Sequence, residues 1–150
     1  MKMNFEHFKN LLHESWHPKL RRWIESSDCD KVYEFLKSES KRGKNLAPLS
    51  SNVWRAFKET SYDDLKVILC GLSPYHTFKN DKPIADGLLM SCSVTGKLQP
   101  SLSNFYDAME KELYQGFSAH IIKEPNLQYL ASQGVLLLNA SLTTEKDKAG

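Results

Sequence analysis

Ser73, Tyr75 and His76 stand together in Gly71-Leu72-Ser73-Pro74-Tyr75-His76, directly after the apolar run Val67-Ile68-Leu69-Cys70. A hydroxyl, a phenol and an imidazole within four residues could orient a water, wall a pocket or donate to a ligand. A second apolar run, Gly134-Val135-Leu136-Leu137-Leu138, ends at Asn139. A carboxamide carries a donor and an acceptor side by side, so it can read an adjacent N–H and C=O on the edge of a base. Each residue has an ordinary alternative. Asn139 is also a common turn former, Tyr75 can simply pack on a core, and His76 can be a structural donor. His13-Glu14-Ser15-Trp16-His17 matches the H-E-x-x-H pattern of zinc peptidases, which needs both histidines on one helical face. Pro18 follows at once and predicts that the helix frays there, and no third ligand is apparent downstream. The other reading is a capped surface helix, so no metal and no organic cofactor is implied.

The two apolar runs read as neighbouring buried strands that aim Ser73, Tyr75 and Asn139 into one pocket at their carboxyl ends, where open α/β sheets bind ligands. Helical spacing of Phe5, Phe8, Leu11 and Leu12 predicts a helix over 4–13. Leu20, Trp23 and Ile24 predict another, and Val32, Phe35 and Leu36 a third after a polar break at Ser26-Ser27-Asp28. Residues 38–51 read as a surface loop, and Asn52 as the cap of a short helix holding Val53, Trp54, Ala56 and Phe57. Polar residues 77–86, with Pro83, read as a loop, and Gly87–Val94 as a further strand. Ser101 is the expected N-cap of a helix carrying Leu102, Phe105, Tyr106, Met109 and Leu113, whose free first-turn N–H groups would suit a phosphate. Asn126 is expected to cap one more helix, stopped by Gly134. This alternation predicts an α/β fold, three layers around a mostly parallel sheet.

The 150 residues fit one domain, and an apolar content of 41% suffices for a core. A net charge of +2 excludes a simple polybasic nucleic-acid binder, though not a local basic groove. Cys29, Cys70 and Cys92 are odd in number and lack metal spacing, and Cys70, inside a strand-like run, is expected to be a buried reduced thiol. That suits a cytoplasmic protein, nuclear in a eukaryote. The first residues show no signal-peptide pattern, and no apolar run approaches the roughly 20 residues of a membrane span.

Along the whole chain these segments resemble the uracil-DNA glycosylases, specifically family 1. Trp16-His17-Pro18-Lys19-Leu20 resembles an early tryptophan–proline segment, and Val53-Trp54-Arg55-Ala56-Phe57 the helix before the first strand. Gly71-Leu72-Ser73-Pro74-Tyr75-His76 resembles the water-activating loop, usually Gly-Gln-Asp-Pro-Tyr-His. Gly87-Leu88-Leu89-Met90-Ser91 resembles the base-stacking strand, usually Gly-Leu-Ala-Phe-Ser. Gln99-Pro100-Ser101 resembles the proline-rich phosphate loop, and the strand ending at Asn139 resembles the one that carries the uracil-reading asparagine. Any one match is weak, but six in order are specific.

The resemblance implies recognition of uracil in DNA and hydrolysis of its N-glycosidic bond, the chemistry of base excision repair, with DNA and a protein partner or inhibitor as binders and no membrane. It implies catalytic positions at Ser73 and His76, base-binding positions at Leu72, Tyr75, Met90 and Asn139, and DNA-binding positions at Gln99, Pro100 and Ser101. Ser73 falls on the aspartate, Leu72 on the glutamine and Met90 on the stacking phenylalanine, and the loop between Tyr75 and Gly87 is lengthened. The family's later helix, strand and loop, with a histidine and an intercalating leucine, have no counterpart in these 150 residues, so a fragment or shortened form is expected. Ser73 stays neutral, which implies weak or altered hydrolysis. Asp86 is the candidate replacement carboxylate, its alternative being a solvated loop acid. The rival class is a catalytically inactive module that keeps the fold and binds DNA or a protein.

Overall fold

In the computed structural model, which describes residues 5–115 and 121–148, the first third of the chain is helical. α1 (Phe5–Phe8) is one turn, shorter than its apolar spacing predicts, and it buries Phe8. A 3-10 turn at Glu14–Trp16 leads into α2 (His17–Ile24). α3 (Ser27–Lys41) begins inside the expected polar break and runs into the stretch expected as loop. The break is the helix cap itself: the Ser26 hydroxyl accepts from the Cys29 N–H at 3.4 Å, and Asp28 and Asp30 occupy the first turn, where the helix dipole favours them.

β1 (Leu46–Ala47), a 3-10 turn at Ser50–Asn52 and α4 (Arg55–Glu59) follow, and then β2 (Val67–Gly71). The lengthened segment after Tyr75 is not plain loop but a two-residue hairpin, β3 (Phe78–Lys79) with β4 (Lys82–Pro83). α5 (Pro100–Leu113), α6 (Gln128–Ala131), β5 (Val135–Asn139) and β6 (Thr144–Glu145) complete the order. The architecture is α/β. β2 and β5 pair in parallel from Val67 opposite Val135 to Gly71 opposite Asn139. Parallel neighbours need a long crossover, here residues 72–134. β1 and β6 form a separate short antiparallel pair.

α4 and α6 pack on β5 and on each other, and the core gathers Ile24, Leu102, Tyr106, Leu127 and Leu137. Trp16 ties the 3-10 turn to this core by donating its indole N–H to the Thr60 carbonyl at 2.7 Å. The Tyr106 hydroxyl, buried at the centre, donates to the Glu124 carbonyl at 2.8 Å and lies 3.0 Å from the Tyr129 hydroxyl. Burial pushes this phenol far above its usual range, so it stays protonated.

Four expectations need correction. Gly87–Val94 is a run of turns, not a strand. The Asp86 carboxylate gathers the Leu88 N–H at 3.3 Å, the Ser93 N–H at 2.9 Å and the Ser91 hydroxyl at 2.8 Å, so the chain curls around that one residue. The N-cap of α5 is Gln99, with Pro100 and then Ser101 in its first turn, because a proline lacking an N–H loses nothing there. Cys70 is exposed, whereas Cys29 and Cys92 are buried. β2 has β5 on one edge and, among the described residues, no strand on the other, and its residues Val67, Ile68 and Cys70 are exposed. Asn126 is likewise not the cap expected of it: the N-cap of α6 is Leu127, and the Asn126 side chain accepts from the Gln128 N–H at 3.1 Å from one residue further out. No helix among the described residues is long and apolar enough to cross a membrane.

Candidate functional site

The carboxyl end of β2 opens into a cavity of about 260 Å³. Leu72, Ser73 and Tyr75 arrive from the loop after the strand, Leu89 and Met90 from the turns around Asp86, and Ser101 from the start of α5. Pro74 is buried and stiffens the loop between Ser73 and Tyr75. The Tyr75 hydroxyl donates to the Met90 carbonyl at 3.2 Å and so links two walls. Burial raises the Tyr75 phenol above its usual range, and its hydrogen bond with Ser101 offsets part of that rise. Tyr75 is therefore a neutral donor at physiological pH. Met90 has φ +58, the left-handed region that a non-glycine residue adopts only when its surroundings hold it there. The Tyr75 hydrogen bond and the knot around Asp86 are what hold it.

Asn139 ends β5 directly opposite Gly71. It is 7% exposed, and its Oδ1 is buried without a hydrogen-bond partner among the described residues. The turn-forming alternative for this side chain thus finds no bond to support it. The backbone does continue the ladder: the Ala140 N–H donates to the Gly71 carbonyl at 2.8 Å and the Ser141 N–H to the Leu72 carbonyl at 2.9 Å. Asn139 does not itself line the cavity, which reaches Gly71 and stops.

The remaining expected site residues are more dispersed. His76 lies outside the lining, with a buried and unpartnered Nδ1, and its carbonyl accepts from the Asp147 N–H at 3.0 Å. Gln99 and Pro100 also lie outside it, and the Gln99 carboxamide donates to the Lys97 carbonyl at 3.3 Å. The H-E-x-x-H residues do not share one helix. His13 precedes the 3-10 turn and accepts from the Ser15 N–H at 3.4 Å, while His17 opens α2 with its ring edge-on to Phe5 at 4.9 Å. Among the described residues no cluster of three histidines, cysteines or carboxylates is placed to hold a metal.

Asp86 is neither a free base nor a solvated acid. It is 2% exposed, pairs with the Arg55 guanidinium at 3.1 Å, and spends its remaining capacity on the turns it organises. Arg55 also donates to the Asp86 carbonyl at 3.1 Å and reaches the Glu59 carboxylate at 3.6 Å and Asn126 at 3.5 Å. It thereby fixes α4, the base of the cavity wall and the approach to α6. Sequence reasoning missed this arginine, whose one signal is a charge inside the apolar segment Val53–Phe57. A larger hollow of about 480 Å³ lies against α1 and α3, but none of the strand-end residues reaches it.

A two-stranded parallel pair flanked by helices, with a mainly apolar pocket at its carboxyl end that also carries the hydroxyls of Ser73, Tyr75 and Ser101, defines an α/β protein with a strand-end cavity suited to a small ligand. The comparisons narrow the class. No family model matches the chain. The uracil-DNA glycosylase of Francisella tularensis subsp. tularensis is 38% identical over 121 residues, which is 79% of this chain and 50% of that protein. The crystal structure of mimivirus uracil-DNA glycosylase shares its fold, with a TM-score of 0.83 at 20% identity over 99% of this chain and 52% of that one. A single-residue variant of the mimivirus protein in complex with UGI gives the same TM-score of 0.83 at 20% identity, over 99% of this chain and 54% of that one. The chain belongs to the uracil-DNA glycosylase superfamily and spans about half the length of the curated relatives it matches.

Proposed function

We propose that this chain recognises uracil in DNA at the end of the β2–β5 pair and serves hydrolysis of the N-glycosidic bond, as in base excision repair. The observation that carries this reading is the buried, unpartnered Oδ1 of Asn139. A buried acceptor left unpaired in a native fold calls for a partner, and an N–H on the edge of a pyrimidine supplies one. The base must leave the helical stack to arrive there. Tyr75 then bars a 5-methyl group and Met90 covers the ring, its sulfur suiting an aromatic face. In this reading Leu72 contacts the base, Gln99, Pro100 and Ser101 contact the phosphate backbone, and His76 assists catalysis after Ser73. Ser73 orients the attacking water as a neutral hydroxyl. Without a carboxylate there, the rate is lower by roughly 10²–10⁴. The chain acts as a single domain, with DNA and a protein partner as binders and the reducing cytoplasm as its compartment.

A second reading, a module that binds DNA without cutting the bond, is favoured by one observation: among the described residues no carboxylate lines the cavity, and Asp86 is held by Arg55. One assay separates the two. The protein is incubated with a single-stranded DNA carrying one uracil, and alkali-labile abasic sites are counted. Abasic sites that disappear in Asn139→Asp support the enzyme. Retained binding of uracil-containing strands over thymine controls, with no abasic sites, supports the module. Neither preference nor cleavage removes both.

A further inference from the structure

Gly71 is the point at which the cavity and Asn139 meet. A Cβ built on it would lie 2.3 Å from Leu89 Cδ1 and 3.0 Å from Asn139 Oδ1, so the leucine methyl and the carboxamide oxygen crowd over the same bare backbone. Leu89 lines the cavity and Asn139 does not. The oxygen is buried and accepts no hydrogen bond. The leucine methyl and this unpaired acceptor therefore lie side by side over Gly71, and of the two only the leucine faces the open space. Its backbone cannot readily withdraw: the Leu89 N–H donates to the Leu137 carbonyl at 3.0 Å, and the flanking Leu88 N–H and Ser91 hydroxyl are both bound to Asp86. Its side chain is only part-buried, and a rotamer change there needs no backbone movement.

We propose that Leu89 is a gating and specificity-determining residue, which covers Asn139 and must rotate aside before a base can be read. The aperture left when it rotates admits a flat single ring presenting an N–H towards Oδ1, and it disfavours a purine. The identity of the ligand rests on the function proposed above, but the seal does not.

The test uses Leu89→Ala and Leu89→Val, with Leu89→Met as the conservative control. The side-chain carbonyl ¹³C resonance of Asn139 is followed by NMR, first without ligand and then with free uracil and free adenine. In Leu89→Ala that resonance moves downfield as water reaches Oδ1, and in Leu89→Met it stays in place. Uracil then binds Leu89→Ala roughly tenfold or more tightly than the parent, the size of change that one or two methylenes make in an apolar pocket. Adenine discrimination falls. A resonance that stays put in folded Leu89→Ala and Leu89→Val overturns the gate, whatever uracil does. A resonance that moves while uracil binds no variant upholds the gate and removes the base-reading function.

Discussion

At position 73 a neutral hydroxyl faces the cavity, and in the proposed reaction cleavage of a glycosidic bond would build positive charge on the sugar there. A carboxylate would stabilise that charge and hold the attacking water, and a hydroxyl can do only the second. Ser73→Asp should therefore raise kcat for abasic-site formation by roughly 10²–10⁴ with little change in KM, because the interaction it adds exists mainly in the transition state. Steady-state kinetics on a uracil-containing strand decide it, and an unchanged kcat would place the deficit outside position 73. Asp86 makes the complementary case. Its carboxylate is buried with Arg55 at 3.1 Å and three hydrogen-bond donors, so its charge is structural. Asp86→Asn should lower the free energy of unfolding by about 3–5 kcal/mol, since it strands a mostly buried guanidinium. Urea denaturation measures this. Full stability with lost turnover would instead make Asp86 the catalytic carboxylate.

Between elements, the end of α3 is tied to the β1–β6 pair through charge. Glu39 is buried at the last turn of α3, where Lys44 pairs with it and also with Glu145 of β6 at 3.3 Å, while Arg42 lies 2.9 Å away. The hydrogen bond from Lys44 holds the Glu39 carboxyl below its ordinary value of 4.5. A carboxyl depressed by folding contributes stability that is full above 4.5 and is lost as pH falls through the lower folded value. Unfolding free energy measured down that range should fall more steeply for the parent than for Glu39→Gln. Parallel curves would show that the pair contributes nothing. This tie illustrates what was hidden in the sequence. β2, β5 and α5 were legible because continuous apolar runs and helical spacing carry their own periodicity. Leu88-Leu89-Met90 has the same apolar look but is bent into turns by a carboxylate and an arginine 31 residues away from it. The site divides in the same way. Ser73, Tyr75 and Ser101 follow from elements that the pattern located, whereas the placing of Met90 in the wall and of Leu89 over Gly71 depends on those turns, and no spacing encodes it.

Over the whole molecule, the least balanced feature is the outer side of β2. Ile68 is 57% exposed and Leu72 73% exposed, with Val67 and Cys70 also open to solvent, on a strand paired along one edge only among the described residues. Folded proteins usually blunt such edges with charge, proline or cover, and the residues between Lys66 and Pro74 supply none. An uncovered apolar edge of this kind pairs with other chains as concentration rises. Cys70 reports on it directly, because its thiol sits on the same face while Cys29 and Cys92 are buried. At low protein concentration a maleimide should label Cys70 first and alone. At high concentration that labelling should slow as light scattering rises. Ile68→Lys should restore fast labelling and suppress the scattering while leaving the thermal midpoint nearly unchanged, because a half-exposed side chain contributes little to the core. Equal labelling rates at all concentrations, with scattering unaffected by the lysine, would mean that association, if it occurs, uses another surface.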